Sequence, residues 1–571
     1  MCSANRLVRL YAPCGAVPSH NNLQGFYRAP RTLRVAPIAF KKERNTKGSH
    51  ELANISEQIS QSLKSPRGVV LWTIAVGTCV RLLCAAYAID LTYGEAYYVA
   101  SARHFALSYF DHPPLTFWLV GATMKLTGSD ALIILRTPFI LLFAATTWLM
   151  YRLGSSLFGG WEGALSALLL NITPLYAISI GAWVEPDGPL MFCSLAATLC
   201  IVSLAFKRKP SAEVLLWVQA GLWLGLAMLC KYYAVLLPAG ISLFALTSRE
   251  HREWFRKPGP YLACAIAVVM FSPVLIWNFE HHWISFNFQG ERADITGIDI
   301  KALITNILGQ AVFIGPWIWI PMLLACRRPL QAGTTNLSSW FLLCLGLVPI
   351  LFFTTIPLLT RTHGHYYWQA LGYLFLFPLL ARHVIERLQV RHASTVTWLS
   401  LSAVAPFLII AVIGVEAATG WAYTSLKNFH LKRDVTLEGL EWKELRAAIA
   451  QRQLLNRSRL FVATAHRLEV GKVDLEIGKF LPVVCMCEDP RDIAFGWNLS
   501  SFSGWDALII GTEFYIPDVQ HTYGDYFQDI ERLNDVLIHR GGQVVVTLRV
   551  YYAKQYSGSY PLPVPTARSL K

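Results

Sequence analysis

The stretch VVLWTIAVGTCVRLLCAAYAI, residues 69–89, carries a single charge, Arg81, in an otherwise apolar run. A helix needs about 20 mostly apolar residues to cross the hydrocarbon of a bilayer, and this run has that length. Comparable runs recur along the chain, at 131–151, 162–180, 189–206, 214–229, 232–247, 260–278, 302–325, 338–356, 367–384 and 395–416. The sequence therefore predicts an all-α polytopic membrane bundle of about 11 transmembrane helices.

The composition agrees with a membrane protein. Of 571 residues, 54% are hydrophobic and 15% are charged, and the mean hydropathy is +0.40. Barrel strands would alternate apolar and polar residues, so continuous apolar runs favour helices. The net charge of +14 does not indicate a nucleic-acid partner. Most basic residues lie in short loops between apolar runs, where they orient helices in the membrane.

The distribution of basic residues predicts an orientation. With a cytoplasmic N-terminus, the inner loops carry Arg152, Lys207, Arg208, Lys209, Arg249, Arg252, Arg256, Lys257, Arg327, Arg328, Arg387 and Arg391. An odd number of spans then places the C-terminal region outside. Because successive spans cross the membrane in alternating directions, the loops 90–130, 181–188, 279–301 and 357–366 lie on the outer face. The segment 113–127, which follows two prolines, is predicted as an amphipathic outer-loop helix in the interface.

The two ends of the chain differ from the apolar module at 67–420. Residues 1–66 are basic and are predicted as a disordered cytoplasmic tail, with an over-extended gene start or a transit peptide as alternatives. In 430–571 the short apolar runs RLFVAT, PVVCMC, DALIIGT and QVVVTLRV are separated by helical patterns such as YFQDIERLNDVLIHR. This alternation predicts a small extracytoplasmic α/β domain. Cys485 and Cys487 are predicted to pack in a strand rather than to form a redox pair.

Polar residues collect in the loops predicted to face outside. Carboxylates beside hydrocarbon are costly unless they are paired, hydrated or used. The acids of this face are Asp90, Glu95, Asp111, Glu185 and Asp187, and its basic residues are Lys231, Arg292, Arg361, His363 and His365. Carboxylates can activate a hydroxyl or hold a divalent cation, and basic side chains can hold a phosphate. The set predicts group transfer from an anionic lipid, although Asp187 alone also fits a helix cap.

The stretch GEAYYVASARHFALSYFDHPPL, residues 94–115, resembles the first outer loop of the C-type (GT-C) polyprenyl-phosphate-sugar-dependent glycosyltransferases. This superfamily includes protein O-mannosyltransferases, lipid A aminoarabinose transferases and rhizobial lipopolysaccharide glycosyltransferases. Further stretches resemble later family motifs in the same order, namely WVEPDGPL, LAMLCKYYAVLLP, VLIWNFEHHWISFNFQGERA and HYYWQALGYLFLFPLLA. The resemblance covers roughly residues 68–385, and a weaker similarity extends into the C-terminal region.

The resemblance implies an inverting transfer of a sugar from a polyprenyl-phosphate donor to a lipid, polysaccharide or protein acceptor on the extracytoplasmic face. An outer-loop carboxylate would serve as base. By motif match, Glu95 and Asp111 are base candidates and Asp187 is an orienting or second acid. Lys231, Arg292 and Arg361 would bind phosphate. The family signature usually begins Asp-Glu, whereas this chain has Gly94-Glu95, so the carboxylate most often assigned as base is missing.

The resemblance also raises a divalent metal cation as a cofactor. Asp111 and His112 occupy the place where some relatives carry a metal-binding acid, and His363 and His365 could complete the site. The alternative is that the histidines are hydrogen-bonded interfacial residues. For Glu95, the alternative is a structural ion pair with Arg103.

Two other classes of protein remain alternatives. A multi-spanning transporter would favour paired repeats and ionisable groups near the bilayer midplane, which the sequence does not display. A catalytically inactive GT-C-like subunit would bind lipid-linked sugar without transferring it, as the missing acid at Gly94 allows. The predicted location is a bacterial inner membrane, with the C-terminal domain in the periplasm. The predicted partners are the lipid-linked donor, the acceptor and membrane lipids, with no nucleic acid.

Overall fold

The computed structural model of the protein describes residues 61–87, 89–206, 212–292, 294–295, 297–360, 365–426 and 434–561. Most of the predicted tail therefore lies outside the described residues. The helices of the membrane part are α1 (Pro66–Tyr87), α2 (Tyr93–Ala102), α3 (Leu115–Thr127), α4 (Leu132–Leu157), α5 (Gly160–Ile172), α6 (Asp187–Phe206), α7 (Glu213–Cys230), α8 (Leu236–Thr247), α9 (Pro258–Glu280), α10 (Ile284–Glu291), α11 (Ile300–Ile314), α12 (Pro316–Ala332), α13 (Leu337–Leu359), α14 (Ala370–Leu374), α15 (Phe377–Val390), α16 (His392–Thr419) and α17 (Trp421–Leu426).

Within the described ranges, seven helices are long and apolar enough to cross a membrane: α1, α4, α6, α7, α9, α13 and α16. They match seven of the predicted spans, and they make the chain an integral membrane protein. The other four predicted spans are broken or shorter. Residues 162–180 divide into α5 and a π-helical turn, 232–247 into a 3-10 turn and α8, and 367–384 into α14 and α15. The total of 11 spans is not confirmed.

The predicted span at 302–325 is bent rather than straight. The helices α11 and α12 meet at 107°, and counting them as one span raises the number in the described part to eight at most. The bend lies at Gly315, which has a φ of 87°. Pro316 then begins α12, because proline lacks the amide hydrogen that would continue α11 and fits the first position of a new helix.

The C-terminal region contains a mixed sheet of six strands. Its elements are α18 (Lys443–Gln451), β1 (Leu460–Thr464), α19 (Arg467–Ile477), β2 (Val483–Cys485), α20 (Ile493–Gly496), β3 (Asp506–Thr512), α21 (Val519–Tyr523), β4 (Phe527–Arg532), β5 (Val536–Arg540) and β6 (Gln543–Tyr556). Strand β1 pairs in parallel with β2 and β3, and β6 is antiparallel to β3, β4 and β5. The four predicted strands RLFVAT, PVVCMC, DALIIGT and QVVVTLRV are confirmed as β1, β2, β3 and β6, respectively.

Two predictions in this region were wrong. The pattern YFQDIERLNDVLIHR forms β4 and β5 rather than a helix. Apolar residues at 527, 530, 533 and 537 fit a helical period, but the long strand β6 offers backbone partners to both segments, and tertiary pairing overrides local spacing. Cys485 and Cys487 were predicted only to pack, whereas the structure joins them in a disulfide.

The sheet region shares a hydrophobic core with the first outer loop. Buried side chains of α2, such as Ala96 and Val99, belong to the same cluster as Val470 and Val473 of α19. Gly471 allows this approach, because a Cβ at that position would overlap the backbone of Ala96 and of Tyr97. The first outer loop is therefore held between the membrane helices and the C-terminal sheet.

We expect Gly471→Ala to destabilise the protein by roughly 1–3 kcal/mol, the usual cost of overpacking a well-packed contact. The matched control is Gly414→Ala in α16, where no atom lies within 4 Å of an added Cβ. In a helix interior that change is neutral or stabilising by about 0.5–1 kcal/mol. Thermal unfolding of both purified variants in detergent measures the difference. Equal melting temperatures would contradict the close contact of α19 with α2.

Candidate active site

Glu95 is fully buried at the start of α2 and is bound from three sides. Its two oxygens accept hydrogen bonds of 2.8 and 2.6 Å from Arg136 of α4. They also accept the backbone N–H of Thr92 and the backbone N–H of Val184, both at 3.0 Å. Burial alone would raise the pKa of Glu95, but Arg136 and the hydrogen bonds outweigh burial and hold this pKa below its ordinary value. The carboxylate stays ionised and joins α2, α4 and the segment before α6.

The predicted structural alternative for Glu95, a pair with Arg103, was wrong. Arg103 forms ion pairs with Asp474 at 2.6 Å and with Asp130 at 2.9 Å. The sequence contained a signal for a structural role of Glu95 at the start of α2, because Thr92-x-x-Glu95 is a capping-box pattern. The structure forms that capping box. Its role as a base stays a prediction, and the geometry favours a positioning role.

Asp187 begins α6 and is tied to the end of α7. Its two carboxylate oxygens accept hydrogen bonds from Lys231 Nζ at 2.7 Å and from the Tyr233 hydroxyl at 2.9 Å. Lys231 also lies 5.2 Å from the Tyr233 ring centre and 5.4 Å from that of Tyr367. The predicted acid and the predicted phosphate-binding cation are thus direct partners. An ammonium group has three N–H donors, so Lys231 can bind an anion while it stays bound to Asp187.

Asp111 connects the first outer loop with the C-terminal sheet region. It accepts hydrogen bonds from the Tyr97 hydroxyl at 3.2 Å and from Arg491 at 3.3 Å. Arg491 follows β2 and adopts a φ of 47°, a strained conformation for a residue other than glycine. The next residue, Asp492, accepts the backbone N–H of Phe110 at 3.1 Å. No local sequence pattern identifies Arg491, because it lies 380 residues from Asp111.

Two predicted phosphate-binding residues line a cavity of about 320 Å³. Lys231, Arg292, His112 and Gln289 contribute polar groups to its wall. Burial and the charge of Arg491 lower the pKa of Arg292, which shows that positive charge is concentrated here. The rest of the wall is largely apolar and comes mainly from α8, α13 and the turn before α8: Tyr232, Tyr233, Val235, Leu236, Phe352, Phe353, Ile356 and Trp368. The cavity therefore combines cations with a hydrocarbon-like surface.

A second cavity, of about 610 Å³, is lined by the start of α2 and by the segment before α6. Gly94 and Glu185 line it together with His365 and Tyr367. Glu185 accepts a hydrogen bond from the Ser179 hydroxyl at 3.0 Å. Burial, followed by the negative charges of Asp187 and Glu95, raises the pKa of Glu185 to about 7. Sequence reasoning noted this acid without selecting it as a site residue.

The predicted metal site is not assembled by the described residues. Among them, no three His, Cys, Asp or Glu side chains gather closely enough to hold a metal ion. Arg491 places a positive charge on Asp111, which opposes a cation there. Burial lowers the pKa of His112 to about 4. His365 stacks on Tyr367 with ring centres 5.3 Å apart. Arg361 and His363 lie outside the described residues, so a site that includes His363 stays a prediction.

Residues 111–277 match the protein family described as dolichyl-phosphate-mannose-protein mannosyltransferase. The chain is 25% identical over 293 residues to the lipid A galacturonosyltransferase RgtD of Rhizobium johnstonii, covering 50% of this chain and 59% of RgtD. It is 24% identical over 265 residues to the undecaprenyl phosphate-alpha-4-amino-4-deoxy-L-arabinose arabinosyl transferase of Erwinia tasmaniensis, covering 43% of this chain and 46% of that enzyme. The matches thus span about half the length of these curated relatives.

The fold is shared with solved structures of ArnT from Cupriavidus metallidurans. The apo structure has a TM-score of 0.55 at 14% sequence identity and covers 85% of this chain and 98% of ArnT. The structure bound to undecaprenyl phosphate has a TM-score of 0.54, also at 14% identity, and covers 86% of this chain and 99% of ArnT. The likeness therefore includes the C-terminal region as well as the membrane helices.

We expect Arg136→Leu to cost about 3–5 kcal/mol of unfolding free energy, because it leaves the carboxylate of Glu95 buried without its charge partner. Adding Glu95→Gln should recover part of the loss, since the uncompensated charge is then removed. The control is Arg328→Leu, which breaks the exposed pair with Glu386 and should stay within about 0.5 kcal/mol of the unmodified protein. Unfolding in detergent followed by intrinsic fluorescence measures all three. An Arg136→Leu protein as stable as the control would refute the positioning role of Glu95.

Proposed function

We propose that this chain, which belongs to the GT-C glycosyltransferase superfamily, transfers a sugar from a polyprenyl-phosphate donor to a lipid A-type glycolipid. The observation that carries the proposal is the 320 Å³ cavity, where Lys231 and Arg292 lie beside apolar side chains of α13 and of the turn that leads into α8. A polyprenyl phosphate has the same two parts, an anionic head and a hydrocarbon chain. The names of the two curated relatives support this donor class, and that of RgtD supports lipid A as the acceptor.

The chemistry is a substitution at the anomeric carbon of the donor sugar. The oxygen of the acceptor hydroxyl forms a bond to that carbon, and the bond between the carbon and the phosphate oxygen breaks. The electron pair of the broken bond stays on the polyprenyl phosphate, where Lys231 and Arg292 stabilise the charge. An outer-loop carboxylate accepts the hydroxyl proton from the face opposite the phosphate, which inverts the configuration. None of these steps requires the predicted divalent cation.

The location follows from the same proposal. The outer loops would open to the periplasm of a bacterial inner membrane, where the C-terminal domain covers the site and the N-terminal tail stays in the cytoplasm. A protein acceptor is the second candidate, because the matching family is described as a protein mannosyltransferase. A glycolipid is favoured because the 610 Å³ cavity is also lined by the membrane helices α1 and α16.

The direct test uses the full chain reconstituted in liposomes that contain lipid A. The donors are undecaprenyl phosphate linked to galacturonic acid or to 4-amino-4-deoxy-L-arabinose. Mass spectrometry should detect lipid A carrying the sugar, together with free undecaprenyl phosphate. Transport of intact donor across the bilayer without transfer would favour a transporter, and binding without transfer would favour an inactive subunit.

We expect Arg292→Ala to weaken binding of undecaprenyl phosphate roughly 10-fold to 100-fold, the range for loss of a charge-assisted hydrogen bond. Lys257→Ala serves as the control, because Lys257 is half exposed and pairs with Glu253 on the same turn. Affinity is measured by tryptophan fluorescence during titration with undecaprenyl phosphate in detergent. Equal affinity of the two variants would remove Arg292 from the phosphate site.

A further inference from the structure

We propose that Glu185 accepts the proton of the acceptor hydroxyl, in the place left open by the missing side chain of Gly94. The inference rests on the proposed function and names the carboxylate that the reaction requires. Neither motif matching nor the family signature selected this residue.

The placement of Glu185 follows from one hydrogen bond. The backbone N–H of Val184 donates to Glu95 at 3.0 Å, which brings the chain before α6 against the first turn of α2. Gly94 and Glu185 are the chain neighbours of these two residues, and both line the 610 Å³ cavity. The position where the family signature carries its first acid and the side chain of Glu185 therefore face the same space.

Gly94 leaves that space open. An added Cβ would meet only the Thr92 hydroxyl oxygen, at 3.9 Å, so a side chain can begin at this position without a clash. Gly94 lies within α2 and is absent from the residues with a positive φ, so its backbone does not require glycine. The backbone therefore permits a side chain at this position, and that side chain would start at the wall of the 610 Å³ cavity.

Glu185 differs from the other acids of the site in its ion-pair partners. Glu95, Asp111 and Asp187 are each bound by a basic side chain. In the part of the chain that the structure describes, no ion pair involves Glu185. The titratable and charged groups that act on it from the surrounding elements are Glu95, Tyr98, Arg136, Asp187, Lys231 and Tyr367.

The pKa of Glu185 lies in the range that suits a general base near neutral pH. A carboxylate held by an arginine or a lysine has little tendency to take up a proton, whereas the pKa of Glu185 is raised to about 7. A general base works best when its pKa lies near the operating pH. Near neutral pH a large fraction of Glu185 is ionised and can accept a proton during transfer.

The two cavities also separate the proton acceptor from the phosphate-binding cations. Tyr367 lines the cavity that contains Glu185, and its neighbour Trp368 lines the cavity that contains Lys231 and Arg292. The proton acceptor and the phosphate-binding cations therefore line two different cavities that both contact the segment 367–368. A sugar held between them is attacked from the Glu185 side while its phosphate leaves toward Lys231. The proton ends on Glu185 and is then released to solvent.

The test compares Glu185→Gln with Glu213→Gln, an exposed glutamate at the start of α7, in the reconstituted transfer assay described above. Glu185→Gln should lower kcat roughly 100-fold or more, the usual contribution of a general base, while the affinity for undecaprenyl phosphate and the melting temperature stay unchanged. For the unmodified protein, kcat/KM should fall about 10-fold per pH unit below the pKa of Glu185, and Glu185→Gln should lose this dependence. Glu213→Gln should behave as the unmodified protein.

A rescue variant separates a proton acceptor from a merely structural residue. Adding Gly94→Asp to Glu185→Gln returns a carboxylate to the same cavity, and we expect at least a 10-fold recovery of kcat. A Glu185→Gln protein with kcat within about threefold of the unmodified protein would overturn the inference while the proposed function stands. Loss of stability or phosphate binding in Glu185→Gln, without rescue by Gly94→Asp, would also overturn it. Absence of transfer by the unmodified protein with both donors would overturn the proposed function and this inference together.

Discussion

The contact on which the rest of the site depends is the buried ion pair between Glu95 and Arg136. A carboxylate with no exposed surface can stay charged only if it is fully paired, and Glu95 is paired by a guanidinium and by two backbone N–H groups. These donors belong to α4, to the cap of α2 and to the chain before α6. Satisfying one charge therefore fixes the relative positions of three segments. The placement of Gly94 and Glu185 in the wall of one cavity is a consequence of that requirement.

The same constraint divides the acids of the outer face into two groups. Glu95, Asp111 and Asp187 are paired with arginine or lysine, so they hold elements of the structure together. Glu185 lies near two of these negative charges without a basic partner in the described part of the chain, and its affinity for a proton rises. Pairing most of the carboxylates thus leaves one that can exchange a proton near neutral pH. Of the basic side chains, Lys231 and Arg292 line the 320 Å³ cavity, and Arg81 and Arg136 line the cavity that contains Glu185.

Much of the architecture could be predicted from sequence, because the membrane restricts the possible structures. Seven apolar runs, the short helix after Pro113 and Pro114, and four strands follow from length and apolar pattern. The breaks at Gly315 and elsewhere were missed, since mean hydropathy does not detect a change in direction. The strands β4 and β5 were missed because their partner β6 is not visible in local spacing. The partners Arg136 and Arg491 lie 41 and 380 residues from the acids they bind, and only the folded chain brings them together.

In the proposed mechanism a lipid phosphate binds to the cations of one cavity, and Glu185 lines the other cavity. The most direct test is an electron cryomicroscopy structure of the full chain in lipid nanodiscs with undecaprenyl phosphate. We expect phosphate oxygens within about 3 Å of the Lys231 ammonium or the Arg292 guanidinium, with the prenyl chain against α13. A phosphate bound at the opposite end of the membrane helices, or in the cavity beside Glu185, would contradict it.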